Sequence, residues 1–318
     1  MITLETRTAQ RSSPPARVRR RRGPRTWVRG GGLSTLVFLL PLLVVFGLFS
    51  WGPIVQSVVM SVQETNLVTA AEFVGLDNFA AVFADPLLWT AVRNTLWFAL
   101  LALVFGYPIP LVVAVLVSEV RKRRGLYSAL AYLPVVVPPV VAVLLWKFFF
   151  DAGPNGVFNT ILGSVGIGPL QWLQNADSAM PSLVLEATWA AAGGTMIIYL
   201  AALASVPAEL YEAAEIDGAS IWRKFWHVTL PNLRGVLLVT FILQIIGTAQ
   251  VFLEPFLFTG GGPANSTTTV LLLIYDYAFA DSLGGDYGKA TALSLMLAAV
   301  LALFSALYLR VTRSWSTS

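Results

Sequence analysis

The sequence predicts an all-α integral membrane protein with six transmembrane helices. Three observations lead to this prediction: a mean hydropathy of +0.72, a charged fraction of only 12%, and a series of long apolar runs. Soluble domains carry about 25% charged residues, and a helix that crosses a bilayer needs about 20 apolar residues. Membrane β-strands are shorter and alternate in polarity, so continuous runs of this length favour helices.

Six apolar runs have the required length. Prolines interrupt the first three, and such prolines are tolerated where neighbouring groups satisfy the freed carbonyls. Their clustering in the second and third runs indicates kinked helices, either around a cavity or without a functional role. The runs are Leu33 to Ser61, Thr95 to Ser118, Leu126 to Phe150, Ser182 to Val206, Leu233 to Phe258 and Ala290 to Val311.

The distribution of basic residues predicts the orientation of these helices. Of the 21 Lys and Arg residues, 18 precede the first run, lie at or after the end of the sixth, or lie in or next to the second-to-third and fourth-to-fifth connections. Only Arg93, Lys147 and Lys289 fall on the other side. Loops rich in Lys and Arg stay in the cytoplasm. Both termini and the loop 205–231 are therefore expected to be cytoplasmic.

Residues 1–30 form a basic arm in front of the membrane domain, which covers residues 31–318. The arm contains RVRRRRGPR, and such clusters attract nucleic acid or anionic lipid. No aromatic stacking platform accompanies it, so we expect no nucleic-acid partner. The simpler interpretation is a topology determinant with weak attraction to lipid.

The chain has no cysteine and a single histidine, His227. Disulfides, cysteine-ligated metals and thiol catalysis are therefore excluded. His227 lies with three carboxylates in one polar block, which raises the possibility of an active site. However, the sequence contains no HExxH, GxSxG or zinc-ligand pattern. We therefore expect no catalytic residue and no metal site.

The polar block lies in the loop 205–231, which contains YEAAEIDGASIWRKFWHVTLP. Ser205 is a candidate N-cap for a first helix, and Gly218 is a candidate residue to end it. Ser220 is a candidate N-cap for a second, short helix, which Pro231 is expected to stop. The loop is therefore predicted to be a compact helix–glycine–helix unit, suited to docking into a groove of another protein.

This loop resembles the cytoplasmic signature of binding-protein-dependent ABC importer permeases. Three further stretches, FVGLDNF, LPVVVPPVVAVLLWKFFFD and FLFTGGGPANST, resemble the carbohydrate-uptake branch of that family. The last one is typical of the first of two permeases, as in maltose and glycerol-phosphate systems. The agreement in the loop covers Glu212-Ala213-Ala214, Asp217-Gly218-Ala219, Phe225 and Leu230-Pro231.

The resemblance implies a type I ABC importer permease (MetI-like) core in a bacterial or archaeal plasma membrane. It implies a second permease as heterodimer partner, a cytoplasmic ABC ATPase dimer, an extracytoplasmic solute-binding protein and a sugar substrate. The chain has no GxxxxGK[ST] motif, so ATP and Mg²⁺ are expected on the ATPase and no cofactor on this chain. The implied ATPase-coupling residues are Glu212, Ala213, Ala214, Asp217, Gly218 and Ala219.

Polar residues inside membrane helices cost free energy of insertion, and they are therefore functional candidates. In the fifth run, Gln244, Thr248 and Val251 share one stripe of a helix, and Gly247 and Glu254 share the next. The resemblance implies that these residues and part of the fourth run line the sugar pocket. The candidates in the fourth run are Glu186, Trp189, Ala190 and Gly194.

Other interpretations remain open at this stage. The small residues could serve close helix packing, and the two glutamates could simply be solvated at the membrane interface. The chain could be a scaffold or regulatory membrane protein that uses the loop only to bind a partner. It could also import another solute, such as a polyamine or phosphate. The sequence does not name the sugar.

Overall fold

The structure, a computed structural model, describes residues 33–120, 122–280 and 284–316. The basic arm at 1–30 lies outside the described residues, and so does Arg121, in the connection between the second and third apolar runs. The chain divides into two compact units, with the boundary between Gln56 and Ser57. The predicted domain boundary after residue 30 stays a prediction.

The described residues are almost entirely helical. Two short strands, β1 (Gln63–Glu64) and β2 (Glu72–Phe73), pair antiparallel, with Gln63 opposite Phe73. Four π turns occur at Gly47–Trp51, Ala102–Gly106, Phe225–Thr229 and Pro255–Thr259. The α-helices are α1 Leu33–Phe46, α2 Gly52–Met60, α3 Asp77–Ala84, α4 Pro86–Leu101, α5 Pro108–Glu119, α6 Arg124–Val136, α7 Pro139–Phe149, α8 Val157–Gly163, α9 Ala176–Ala204, α10 Ala208–Ile216, α11 Ile221–Lys224, α12 Leu230–Ala249, α13 Val270–Phe279 and α14 Tyr287–Ser316.

Five helical segments in the described ranges are long and apolar enough to cross a membrane, and α6 with α7 makes a sixth if this bent pair is one span. The all-α membrane fold is confirmed, and the third of the six predicted spans corresponds to this bent pair. The five segments are Ser34–Met60, Pro86–Glu119, Ala176–Ala204, Ile221–Ala249 and Tyr287–Thr312.

The third predicted span is a pair of helices, α6 and α7, which meet at an angle of 97°. Val137 precedes a proline and is extended, with φ −70° and ψ 128°, and Pro138 is extended as well. A residue before proline is kept out of the α region by the proline ring. The Pro138-Pro139 pair therefore breaks the helix sharply instead of only kinking it.

Three π turns end two residues before a proline, at Pro53, Pro108 and Pro231. In each case the residue before the proline donates its N–H to the carbonyl five residues earlier. Proline lacks an N–H, and its ring collides with the carbonyl four residues back in a regular α-helix. A π turn widens the helix at that carbonyl, so the segment continues past the proline.

Two predicted span boundaries were wrong for identifiable reasons. The second span begins at Pro86 instead of Thr95, because Asp85 caps the helix by accepting from Leu87 N. The fifth begins at Ile221 instead of Leu233, because the π turn carries the helix through Pro231.

Helix α9 is central to the second unit and packs against α5, α6 and α12. Gly193 makes the contact with α6 possible. A Cβ added there would lie 2.4 Å from the backbone oxygen of Ala131. Met196, Tyr199 and Leu233 form part of the buried core beside this contact.

We call the end of the second unit formed by residues 62–85, 150–175, 259–280 and 284–286 the loop end. Asn159 organises part of it. Its Nδ2 donates to the carbonyls of Asp151, Gly153 and Leu170, and its Oδ1 accepts from Trp172 Nε1 at 2.9 Å. An aromatic cluster of Trp146, Phe150, Phe158 and Trp172 packs next to it.

Candidate functional site

A cavity of about 550 Å³, here called the central cavity, lies between α4, α5, α9 and α12. Its apolar walls carry hydroxyl, amide and carboxylate side chains. Among the described residues that line it, there is no Lys, Arg or His. The polar lining consists of Tyr107, Thr188, Thr195, Thr240, Gln244, Thr248, Gln250 and Glu254.

Gly106 lies where three of these elements meet. A Cβ at this position would be 3.0 Å from Thr188 Oγ1 and 3.8 Å from Gln244 Nε2. Gly106 ends the π turn between α4 and α5. The absence of a side chain there lets polar groups from α9 and α12 face one another across the cavity.

Buried hydroxyl groups hold the cavity walls together towards the end opposite the loop end. Tyr107 donates from its hydroxyl to Leu237 O at 2.7 Å, which ties α5 to α12. The hydroxyls of Tyr199 and Thr240 are 2.8 Å apart, which ties α9 to α12. Buried polar groups need such partners, so these contacts fix the relative positions of the three walls.

Helix α12 ends at Ala249, and Val251 and Phe252 are not helical. The fifth span was predicted to run to Phe258, and this prediction was wrong at its C-terminal end, because the helix breaks after Ala249. Thr269 stabilises the break, because its Oγ1 donates to Val251 O at 2.9 Å. A helical turn resumes at Leu253 and presents Glu254 to the cavity.

The structure brings together five of the nine predicted pocket residues. Those in the fifth span line the central cavity, on both sides of the helix break. Those in the fourth span do not line it. The five are Gln244, Gly247, Thr248, Val251 and Glu254, and the four are Glu186, Trp189, Ala190 and Gly194. Contact of any of them with substrate stays a prediction.

Trp189 packs against the aromatic cluster at the loop end. Its ring centroid lies 5.6 Å from that of Trp146, and its side chain lines a separate apolar crevice together with Met196. Ala190 and Gly194 are half-buried, and a Cβ at Gly194 would meet no atom within 4 Å. Close helix packing therefore depends on Gly193 rather than on Gly194.

Glu186 is buried, with 2% of its surface exposed. Its Oε2 has no hydrogen-bond partner within the described residues. It lies within electrostatic range of Glu254, which is half-buried in the cavity wall. The alternative that Glu186 is solvated at the membrane interface was therefore wrong.

The sequence reasoning missed two polar lining residues of α9, Thr188 and Thr195. They are seven residues apart, with Ala191 and Ala192 between them on the same face. A stripe of small and hydroxyl-bearing residues at this spacing is a helical periodicity, and it was the available signal.

The loop 205–231 forms two helices, α10 and α11, around a glycine turn. Gly218 has φ +71°, and its N–H donates to Glu215 O at 3.0 Å. Ala219 N donates to Ala214 O at 2.9 Å, which completes a Schellman motif. Ser220 caps α11 by accepting from Arg223 N. The predicted roles of Gly218 and Ser220 in the fold are confirmed.

The predicted helix start at Ser205 was wrong. Helix α9 continues to Ala204, and the Ser205 hydroxyl donates back to Ala202 O at 2.7 Å. Pro207 is extended and precedes α10, which begins at Ala208. Ser205 therefore belongs to the end of the preceding helix.

Side-chain contacts close the loop on itself. Lys224 Nζ forms an ion pair with Glu215 Oε1 at 2.7 Å, and the hydroxyls of Tyr211 and Thr229 are 3.1 Å apart. Two large apolar residues nevertheless face outwards, Ile216 with 87% and Trp222 with 72% of the surface exposed. The loop is a compact surface unit with both charged and apolar groups available for a partner.

At the loop end, Asp85 joins the start of α4 to α13 and α14. Its Oδ2 accepts from Tyr277 Oη at 2.6 Å and from Lys289 Nζ at 3.0 Å. Burial alone would raise the pKa of Asp85, but hydrogen bonds from Tyr277, Leu87 N and Lys289, with the charge of Lys289, outweigh it. The pKa of Asp85 therefore lies below its ordinary value.

Residues 106–317 match the family described as the inner membrane component of binding-protein-dependent transport systems. The chain belongs to this family. The match contains most of the central cavity and the whole loop 205–231. Family membership decides for transport over a scaffold or an enzyme.

Similar proteins from several organisms are also transport permeases. A trehalose/maltose transport system permease, MalF of Thermococcus litoralis, is 32% identical over 278 residues, covering 87% of this chain and 92% of the relative. The arabinooligosaccharide permease AraP of Halalkalibacterium halodurans is 35% identical over 275 residues, covering 86% of each chain.

A solved structure of an ABC transporter chain has the same fold. A chain of a bacterial ABC transporter that imports the acidic polysaccharide alginate matches with a TM-score of 0.79 and 26% identity. The match covers 91% of this permease and 99% of that chain. The fold of an ABC importer permease, with MetI-like topology, is confirmed.

Proposed function

We propose that this permease carries a sugar or sugar-like solute through its central cavity, as one subunit of an ATP-driven importer. The observation that carries the proposal is the cavity itself. A volume of about 550 Å³ lies within the range of small-ligand sites, and neutral hydrogen-bonding groups dominate its polar lining. Relatives named for trehalose, maltose and arabinooligosaccharide transport support a carbohydrate as the substrate class.

We assign the coupling of transport to ATP hydrolysis to the loop 205–231. Glu212 is exposed on α10, and Gly218 sets the turn after that helix. The loop would insert into a groove of the ATPase, with Glu212 in contact with it. Ala213, Ala214, Asp217 and Ala219 flank these two positions, where small residues allow close approach.

The remaining subunits follow from the same proposal. A second permease pairs with this one, an ABC ATPase dimer binds ATP with Mg²⁺, and a solute-binding protein delivers the sugar at the loop end. Both termini and the loop 205–231 face the cytoplasm, in accord with the excess of Lys and Arg on that side. An alginate importer solved with its oligosaccharide-bound periplasmic protein supports delivery by a binding protein.

The test combines two changes in the loop, Glu212→Lys and Gly218→Val, in the complete transporter reconstituted in proteoliposomes. A side chain at φ +71° strains the turn, and the charge reversal repels any groove that accepts Glu212. We expect uptake to fall at least about tenfold, which corresponds to about 1.4 kcal/mol of coupling.

Glu72→Lys is the matched control, because it reverses an exposed charge at the loop end. The readout for this control is ATPase binding, which should stay unchanged, because uptake also depends on the binding protein proposed to dock at the loop end. Wild-type uptake by the double variant, with normal ATPase assembly, would contradict the assignment of the coupling loop.

A further inference from the structure

We infer that the central cavity selects uncharged sugars over uronic acids, because Glu254 in its wall repels a substrate carboxylate. The inference rests on the proposed function and narrows its substrate class. It concerns selection inside the membrane, which acts in addition to any selection by a binding protein.

Glu254 has a fixed position in the cavity wall. It follows the break in α12, which the hydrogen bond from Thr269 Oγ1 to Val251 O stabilises. A hydrogen-bonded break holds a side chain more firmly than a free loop would, because the backbone conformation is determined on both sides. The Glu254 carboxylate is therefore a permanent feature of the wall.

Glu186 lies behind the same part of the wall. It is 2% exposed, its Oε2 has no hydrogen-bond partner in the described part of the chain, and it lies within electrostatic range of Glu254. Carboxyl groups as buried as this one normally have a hydrogen-bond or charge partner. Because Glu186 does not line the cavity, it acts on a bound molecule only through its influence on Glu254.

No basic side chain offsets the charge of Glu254 in the cavity lining formed by the described residues. Lys147 Nζ donates to Leu257 O, three residues after Glu254. Its side chain lines a separate pocket at the loop end, not the central cavity. A uronic acid would thus bring its carboxylate close to Glu254, in a region of low dielectric without a cation. A sugar hydroxyl, by contrast, can donate a charge-assisted hydrogen bond to Glu254.

The fold does not impose this selection. A solved relative with the same fold imports the acidic polysaccharide alginate. The discrimination between neutral and acidic sugars must therefore come from individual side chains, and Glu254 is the acidic one among the described residues that line this cavity.

The experiment measures binding without the solute-binding protein, so that its specificity does not interfere. The complete complex of permeases and ATPase is placed in nanodiscs, and weak binding is detected by saturation-transfer NMR. The probes are maltotriose, maltotriose oxidised at C6 to the uronic acid, and spermidine. Wild-type protein is compared with Glu254→Gln, Glu186→Gln and Asp177→Asn.

For the wild-type complex, we expect the oxidised trisaccharide to bind at least tenfold more weakly than maltotriose. In Glu254→Gln the difference should shrink to less than threefold, because the charge is lost while a hydrogen-bonding group remains. Glu186→Gln changes a group outside the cavity lining and should alter the ratio less than Glu254→Gln does. Asp177→Asn removes an exposed carboxylate outside the cavity and should leave the ratio unchanged.

Two kinds of failure can be told apart. Equal binding of the neutral and oxidised sugars to wild-type protein, or an unchanged ratio in Glu254→Gln, would overturn this inference and leave the proposed function intact. Binding of spermidine but of neither sugar would overturn the proposed function itself. Glu254 lines the cavity and Glu186 is buried, so a well-folded Glu254→Gln variant keeps the test valid if Glu186→Gln does not fold.

Discussion

The loop 205–231 and the central cavity are built in different ways. Contacts that close the loop join residues close in sequence, such as Glu215 with Lys224 and Tyr211 with Thr229. Contacts that shape the cavity cross the whole chain: Tyr107 bonds to Leu237, 130 residues away. A local unit can be recognised from a short stretch of sequence, whereas the cavity depends on how distant helices meet.

This difference explains which parts of the fold could be predicted. The glycine turn at Gly218 and the cap at Ser220 follow from local backbone preferences, and both were predicted. The errors in the same region, at Ser205 and Pro231, arose where a longer helix entered or left the loop. The π turn before Pro231 has no local signature that distinguishes it from an ordinary helix stop.

The cavity was predicted only in part for the same reason. A helical stripe placed Gln244, Thr248 and Glu254 correctly at the wall, although the helix breaks between them. In α9 the resemblance implied Trp189 and Gly194, whereas Thr188 and Thr195 line the cavity. The sequence does not show which side of a central helix meets a cavity. That choice depends on packing against α6, which residues far along the chain determine.

The largest expected effect distinguishes a residue that packs outside the central cavity, Trp189, from one that lines it, Gln244. Trp189→Ala removes a ring that packs against Trp146 and should lower the free energy of unfolding by about 3 kcal/mol, with little change in KM. Gln244→Ala should leave the free energy of unfolding unchanged. It should raise the KM of uptake about fivefold, because one hydrogen bond to the sugar is lost. Thermal unfolding and uptake kinetics on both variants measure the two effects. A large KM change in a stable Trp189→Ala protein would show that the ring contacts the sugar.

A neighbouring pair of glycines tests how strongly the cavity depends on close helix packing. Gly193→Ala places a Cβ against the backbone of Ala131 and should cost about 2 kcal/mol by forcing α9 and α6 apart. Gly194→Ala is the matched control, because its Cβ meets no atom within 4 Å. It should be neutral, or slightly stabilising through helix propensity. Equal unfolding temperatures for the two variants would contradict the packing of α9 described above.

The smallest of these effects concerns Asp85, whose contacts to Tyr277 and Lys289 also span the chain. Its folded-state pKa is lowered, so its stabilising contribution is complete above the ordinary Asp pKa of about 3.9 and is lost as the pH falls through the folded value. Asp85→Asn should cost about 1.5 kcal/mol at pH 7, and the difference from wild type should shrink as the pH falls through the lowered folded-state pKa of Asp85. Thermal unfolding across this pH range measures it. A difference that grows towards low pH would contradict the assigned hydrogen bonds.

The π turns next to Pro53, Pro108 and Pro231 also affect how the chain tolerates changes in its length. A π turn contains one residue more than the α-helix needs to join the same two flanks. Deleting one residue from Ala102–Gly106 would leave α4 and α5 in phase, and the proline clash would be the main cost. The same deletion elsewhere in α4 would rotate every later residue of the segment by about 100° and turn Tyr107 away from the cavity. Single-residue length differences among related permeases are therefore expected at these three turns.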